Sequence, residues 1–224
     1  EKVRAELIRL GYEPKDCGKC GLVALAGGKK PGKTILIRAD MDALPIKEEA
    51  DVEYASRIEG KMHGCGHDMH TAMLLGAAAL LKKHEDELEG TVKLMFQPAE
   101  EIFQGSEDMI KAGVLENPAV DAAYMIHVVA GMPVPAGCLM VPPGGTGMAG
   151  CQQYKIIVKG KGGHGARPEV AIDPITAAAH IHIALQEINS RELNPAEFGV
   201  FTTGLFKGGE ASNIIPDTAE TRGT

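Results

Sequence analysis

Three histidines, one cysteine and one aspartate fall within the eight residues from His63 to His70, in a chain with only 8 His and 5 Cys. The string Cys65-Gly66-His67 places a thiol and an imidazole two residues apart, and the glycines around the thiol let the backbone turn tightly enough for both side chains to converge. Thiolate and imidazole are good ligands for zinc and other late divalent ions. The stretch therefore predicts a metal site, with Asp68 orienting a histidine or capping the following helix.

Further candidate side chains lie at the ends of apolar strands. Glu100 and Glu101 are adjacent in FQPAEE (96–101), where one carboxylate could hold a metal while the other moves a proton. Two solvated loop glutamates are the simpler alternative. Asp40 and Asp42 follow another strand in RADMDALP, and His127 lies near the end of the apolar stretch AAYMIHV. A single histidine there is more often a core residue, but beside the other candidates it is a plausible ligand.

Two motifs suggest other functions and are set aside. The segment GGKKPGKT (27–34) matches the phosphate-loop pattern, but that mechanism needs a helix after the loop, and Thr34 opens an apolar strand pattern. We interpret it as a solvated hairpin loop. CGKC (17–20) has no second C-x-x-C partner and precedes a strand, whereas a redox pair begins a helix. Two thiols near a strand start are the favoured interpretation.

Composition narrows the class of protein. The chain has 224 residues, 44% of them hydrophobic, and a formal net charge of -7. This acidity argues against nucleic acid and anionic membranes as partners. No apolar run reaches the length of a membrane span. The odd, scattered set of five cysteines does not suggest a disulfide framework, so we expect a reducing cytoplasm.

The order of elements predicts an α/β fold. Helices are expected at 3–11, 68–83, 106–113 and 172–190, and strands at 21–27, 34–40, 91–96, 120–128, 154–160 and 198–206. Alternating strands and helices in the first part indicate a mainly parallel sheet. The Gly/Pro-rich segment 141–150 looks like a linker. We therefore expect a metal-binding catalytic domain at 1–150 and a smaller α+β domain at 151–224.

Several strings together resemble the M20 metallopeptidases, in particular their amidohydrolase branch. They are RADMDALP, MHGCGHDMHTAMLLGAA, FQPAEE, the histidine of MIHV, GKGGHGARP (160–168) and NIIPD (213–217), in the family's order. The resemblance implies a zinc-peptidase-like α/β catalytic domain with two divalent ions, which could be Zn, Mn, Ni or Co. It also implies a ferredoxin-like lid domain that mediates a homodimer.

The same resemblance assigns roles to individual residues. The implied metal ligands are Cys65, His67, Glu101 and His127. Glu100 would be the general base toward the water held at the metals. His164 and Asn213 would contact the substrate, His164 in the site of a neighbouring subunit. Asp40 and Asp42 would support the ligands from behind.

The expected reaction is hydrolysis of the amide bond of an N-acyl amino acid. A dipeptidase or carboxypeptidase of the same superfamily is one alternative, and a non-catalytic metal-binding or dimerisation protein is another. The family supplies one more histidine ligand from a C-terminal segment. Because the chain stops at Thr224, we expect a fragment with an incomplete site that is inactive alone.

Overall fold

A computed structural model describes residues 1–142, 144–145 and 149–224 of the chain. The chain divides into two compact units, Glu1–Val134 and Pro135–Thr224. The predicted linker at 141–150 includes residues 143 and 146–148, which lie outside the described residues. Within the described part, no helix combines the length and apolarity needed to cross a membrane.

The first unit is built on a five-stranded sheet with helices on its faces. Its strands are β1 (Lys15–Cys17), β2 (Gly21–Gly27), β3 (Thr34–Asp40), β4 (Thr91–Gln97) and β5 (Ala122–Met125). Its helices are α1 (Lys2–Arg9), α2 (His67–Lys83) and α3 (Gly105–Lys111). The predicted α/β class is confirmed.

Strand order is β1-β2-β4-β3-β5. Parallel pairings join β3 to both β4 and β5, while antiparallel pairings add β2 to β4 and β1 to β2. Since β4 lies between β2 and β3, the segment GGKKPGKT is not the loop of a hairpin, and that prediction was wrong. Thr34 does open a strand, so the helix that a phosphate loop needs is absent at this point of the structure.

The centre of the sheet is covered on both faces. Leu94 and Phe96 on β4 are fully buried in a cluster that includes Leu7 of α1 and Leu74 of α2. Met95 points to the opposite face, where a second cluster includes a residue of α3. A parallel strand enclosed in this way is well placed to hold side chains at its carboxyl end rigidly.

The carboxyl ends of β3, β4 and β5 carry or precede residues of the candidate site. Asp40 at the end of β3 pairs in register with Gln97 at the end of β4. β5 ends at Met125, earlier than the predicted strand 120–128, so His127 lies in the loop beyond it. The thiols of CGKC flank the turn between β1 and β2, with Cys17 buried and Cys20 exposed.

In its described residues the second unit combines a three-stranded antiparallel sheet, a two-stranded sheet and one α-helix. Its strands are β6 (Tyr154–Lys159), β7 (Gly163–His164), β8 (Thr203–Gly208), β9 (Ile214–Ile215) and β10 (Thr218–Gly223), and its helix is α4 (Pro174–Leu185). The larger sheet has the order β6-β10-β8, and the smaller one pairs β7 with β9. Asp173 caps α4 by accepting hydrogen bonds from the backbone of Ile175 and Thr176. The helix is shorter than the predicted 172–190, and β8 begins later than the predicted strand 198–206.

Candidate metal centre

His67, the first residue of α2, lies at the centre of the candidate site. The preceding residue, Gly66, has φ +81° and turns the chain into the helix. The His67 side chain is 1% exposed. Its Nδ1 lies 2.9 Å from the backbone oxygen of Asp42, and because a carbonyl can only accept, Nδ1 carries the proton. In the neutral ring Nε2 therefore carries a lone pair, and this buried atom has no hydrogen-bond partner among the described residues.

Other candidate ligand atoms surround this lone pair. Cys65 Sγ lies 3.3 Å from His127 Nε2, and these two residues and His67 offer atoms that all lie within 4.8 Å of one another. His67, Glu100 and Glu101 form a second such group. Glu101 Oε1 lies 3.8 Å from His67 Nε2 and is likewise buried without a hydrogen-bond partner in the part of the chain described. The two groups share His67.

Asp42 fixes the turn that carries the two glutamates. Its carboxylate oxygens accept the backbone N–H groups of Glu100 at 3.0 Å and of Glu101 at 3.1 Å. The turn begins at Ala99, whose φ of +54° lies in the left-handed region that alanine rarely adopts. The backbone oxygen of Asp42 also accepts from His67. Asp42 therefore determines which nitrogen of His67 carries the proton and also holds the turn that bears Glu100 and Glu101.

Asp40 lies beside His67 Nε2, forms a third candidate ligand group with His67 and His70, and binds two side chains. Its carboxylate accepts from Arg38 at 2.8 Å and from His70 Nδ1 at 2.6 Å, and lies 3.6 Å from His67 Nε2. Burial acts to raise the pKa of Asp40, but the hydrogen bond from His70 and the positive charge of Arg38 outweigh it, so the pKa lies below its ordinary value. The group is an anion next to the ligand cluster.

The pKa of the Cys65 thiol is shifted in the opposite direction from that of Asp40. Burial, followed by the negative charge of Glu101, raises its pKa above the ordinary value. A cation held by the same atoms would reverse this effect, because a coordinating thiol is deprotonated outright.

The residues fit a divalent metal. Two buried polar atoms, His67 Nε2 and Glu101 Oε1, lack partners within the described structure, and such atoms are rare without a ligand or an ion. Thiolate, imidazole and carboxylate donors together suit zinc and neighbouring transition metals. The predicted ligands Cys65, His67, Glu101 and His127 are thus brought together at one place.

The two predicted substrate contacts belong to the second unit. Pairing of β7 with β9 places His164 opposite Ile214, next to Asn213, whose backbone oxygen accepts from Gly165 at 2.8 Å. Both side chains are exposed. His164 Nδ1 accepts from the backbone N–H of Ala166.

Arg38, His70 and Thr71 are parts of this site to which the sequence motifs assigned no role of their own. Arg38 bridges Asp40 and Gln97 Oε1, and Thr71 donates to the backbone oxygen of Asp40. A signal existed for His70, since it stands three residues after His67 on a helix and so shares its face. Its partners become apparent only in three dimensions.

Comparisons with known proteins agree with this geometry. The model of peptidase family M20/M25/M40 matches residues 36–206. The chain is 46% identical to IAA-amino acid hydrolase ILR1-like 5 of Arabidopsis thaliana over 99% of the chain and 50% of that protein. It is 43% identical to N-acetylcysteine deacetylase of Bacillus subtilis (strain 168) over 92% of the chain and 53% of that protein.

A solved structure has the same fold. It is the Bacillus subtilis YXEP protein, a dinuclear metal-binding peptidase of family M20, with a TM-score of 0.62 and 35% identity over 99% of this chain and 56% of that one. The chain thus spans about half the length of the curated relatives it matches.

Proposed function

We propose a function from the premise that this chain belongs to peptidase family M20/M25/M40. The protein hydrolyses the amide bond of N-acyl amino acids with the help of divalent metal. The observation that carries the proposal is the buried, unpartnered Nε2 of His67 surrounded by Cys65, His127 and Glu101. Similarity to an N-acetylcysteine deacetylase and an IAA-amino acid hydrolase supports the substrate class.

The proposed ligands are Cys65, His67, Glu101 and His127, with Asp40 and Asp42 supporting them. Two ions per site are proposed because the three overlapping ligand groups around His67 offer more donor residues than one tetrahedral ion takes, and one relative's structure is described as dinuclear. Zinc suits the thiolate and imidazole donors best, while manganese, nickel and cobalt are compatible with the mixed set.

The chemistry divides between the metal and the chain. A divalent ion, when bound, supplies Lewis acidity that polarises the amide carbonyl and lowers the pKa of water. Glu100 is the proposed general base: its carboxylate takes a proton from the attacking water as the new C–O bond forms. The same group then donates that proton to the amide nitrogen as the C–N bond breaks, which yields a free acid and an amino acid. Asp42 holds Glu100 in place through the backbone N–H.

His164 and Asn213 are proposed to bind the substrate, His164 by steadying the oxyanion or the substrate carboxylate. Their juxtaposition at β7 and β9 supports a common role. For the second unit we propose a lid and a homodimer interface, as the family resemblance implies. A cytoplasmic location is proposed as well, and the free state of all five cysteines is consistent with it.

A peptidase is the second candidate, because the solved relative is described as a peptidase. The two functions differ in what lies on the acyl side of the scissile amide. A dipeptide presents a charged amine there, whereas an N-acetyl or N-aroyl amino acid presents an uncharged group. Comparing kcat/KM for these two substrate classes decides between the functions.

The test uses the full product of the gene that encodes this chain. Amine release is measured for N-acetyl amino acids, N-aroyl amino acids and dipeptides, with added zinc or manganese, in the wild type and in Glu100→Gln. We expect metal-dependent turnover that falls about 10²–10⁴-fold in the variant, with metal content unchanged. Glu59→Gln, an exposed glutamate elsewhere in the first unit, is the control.

Normal turnover by Glu100→Gln would contradict the assignment of Glu100 as the general base. Bound metal without hydrolysis of any substrate would favour the non-catalytic binding protein. A wild type that binds no divalent ion would contradict the proposed centre itself.

A further inference from the structure

His70 is a buried histidine that the proposed reaction does not use. It lies one turn after His67 on α2 and is 3% exposed. Nδ1 is 2.6 Å from Asp40 Oδ1, and Nε2 accepts the backbone N–H of Val128 at 2.9 Å. An N–H group can only donate, so the His70 proton must be on Nδ1, directed at the Asp40 carboxylate.

Val128 links this histidine to a proposed metal ligand. The carbonyl oxygen of Val128 lies 2.6 Å from Nδ1 of His127 and must accept its proton. His127 is thereby left with a lone pair on Nε2, the atom that faces Cys65 Sγ at 3.3 Å. The ring of His127 also packs edge to face on His70, with centroids 4.5 Å apart. Val128 thus connects the two rings, with its N–H bonded to His70 and its carbonyl oxygen bonded to His127.

The segment that carries His127 has little other support. β5 ends at Met125, so strand pairing no longer holds the backbone at His127 and Val128. Within the described residues, His70 is the partner of the Val128 N–H group. His70 is in turn fixed through Asp40, which Arg38 also binds. A purely apolar side chain at position 70 would fill the same space but leave the partly buried N–H group of Val128 and a carboxylate oxygen of Asp40 unpaired.

We propose that His70 is a positioning residue that directs the Nε2 lone pair of His127 at the metal through the backbone of Val128. The inference rests on the proposed metal function and adds a residue to it. Hydrogen-bond partners behind metal ligands fix ring orientation, and their loss lowers metal affinity about 10–100-fold in known sites.

Two substitutions separate the two hydrogen bonds of His70. An asparagine amide stands about where Nδ1 stands and can donate to Asp40, but it leaves Val128 N–H without an acceptor. A glutamine amide reaches the position of Nε2 and can accept from Val128, but it gives up the bond to Asp40. His84→Asn, at the exposed end of the same helix, is the matched control.

The readout is Co²⁺ titration of the full gene product, followed by the near-ultraviolet thiolate-to-cobalt charge-transfer band and the visible ligand-field bands. We expect His70→Asn to bind Co²⁺ about 10–100-fold more weakly, with altered ligand-field bands. His70→Gln should lose less affinity and keep bands closer to the wild type, and His84→Asn should match the wild type. His70→Met, which is close to glutamine in size but has no amide, should bind Co²⁺ as weakly as His70→Asn, whereas a role in packing alone would give it the affinity of His70→Gln.

Equal Co²⁺ affinity in His70→Asn, His70→Gln and the wild type would overturn the role of His70 but would not contradict the proposed metal site. If His70→Gln bound Co²⁺ no better than His70→Asn, the proposed link from His70 to His127 through Val128 would be overturned. A wild type without a thiolate band would overturn the metal site, and the inference with it. If the variants fail to fold, the ring ¹⁵N spectrum of the wild type decides: a proton on Nε2 of His70 contradicts the proposal, and a proton on Nδ1 supports it.

Discussion

Gly66→Ala is expected to damage both the stability and the metal site of the first unit. Gly66 has φ +81°, a conformation that costs a residue with a β-carbon about 1–2 kcal/mol. A β-carbon built there would also collide with Cγ2 of Val128. Overpacking of this kind typically costs about 1–3 kcal/mol. Together these effects predict a loss of roughly 2–5 kcal/mol in the free energy of unfolding.

The collision gives the substitution a second consequence. The backbone of Val128 bonds to both His70 and His127, so moving this residue away from position 66 misdirects a proposed ligand. We therefore expect weaker Co²⁺ binding in Gly66→Ala, beyond what its stability loss explains. The assays are urea unfolding of the metal-free protein followed by circular dichroism, and Co²⁺ titration under native conditions.

Gly76→Ala is the matched control on the same helix. Position 76 is exposed within α2, and a β-carbon there would meet nothing within 4 Å. Alanine is a better helix former than glycine, so this variant should gain about 0.5–1 kcal/mol. If Gly66→Ala were as stable as the wild type and bound Co²⁺ equally well, the reasoning from φ and from the Val128 contact would be refuted.

Three further predictions follow from individual contacts. Asp42→Ala should weaken Co²⁺ binding about 10–100-fold by freeing the glutamate turn, and Asp42→Asn, which keeps one acceptor, should lie between it and the wild type. Lys93, 2% exposed, donates to three backbone carbonyls, so Lys93→Met should lower the urea-measured free energy of unfolding by about 3 kcal/mol or more, and an unchanged value would contradict this role. The hydrogen bond from Thr176, assisted by two backbone N–H groups, lowers the pKa of Asp173, so its stabilisation is present above the unfolded-state pKa and is lost as pH falls through the folded-state pKa. The melting temperature should accordingly fall more steeply with decreasing pH for the wild type than for Asp173→Asn. Parallel plots of melting temperature against pH for the two proteins would refute the assignment.

Local sequence was sufficient for most helices and strands and for the proposed ligands. The apolar runs at 21–27, 34–40 and 91–96 became β2, β3 and β4 with small changes at their ends. Ligand types could be found because Cys65 and His67 are neighbours in the chain, and Glu100 and Glu101 are too. Where the partners of a site lie within a few residues, spacing alone indicates the chemistry.

Strand order could not be predicted in the same way. The segment GGKKPGKT has the composition of a hairpin loop, yet β4 enters between the two strands that it connects. Which strands pair depends on burial of both faces of β4, an effect spread over residues far apart in sequence. For the same reason the end of β5 and the exposure of His127 were not foreseen.

The sequence by itself therefore determined the α/β class, the metal-binding character and the residue types of the candidate site. Only the tertiary structure decided which atoms of those residues are free to bind. Asp42 leaves a lone pair on His67 Nε2 by accepting from its Nδ1, and His70 holds the backbone segment that directs His127. These bonds join residues 25 and 58 positions apart, and hydrogen bonds over such separations depend on chain packing rather than on any local pattern.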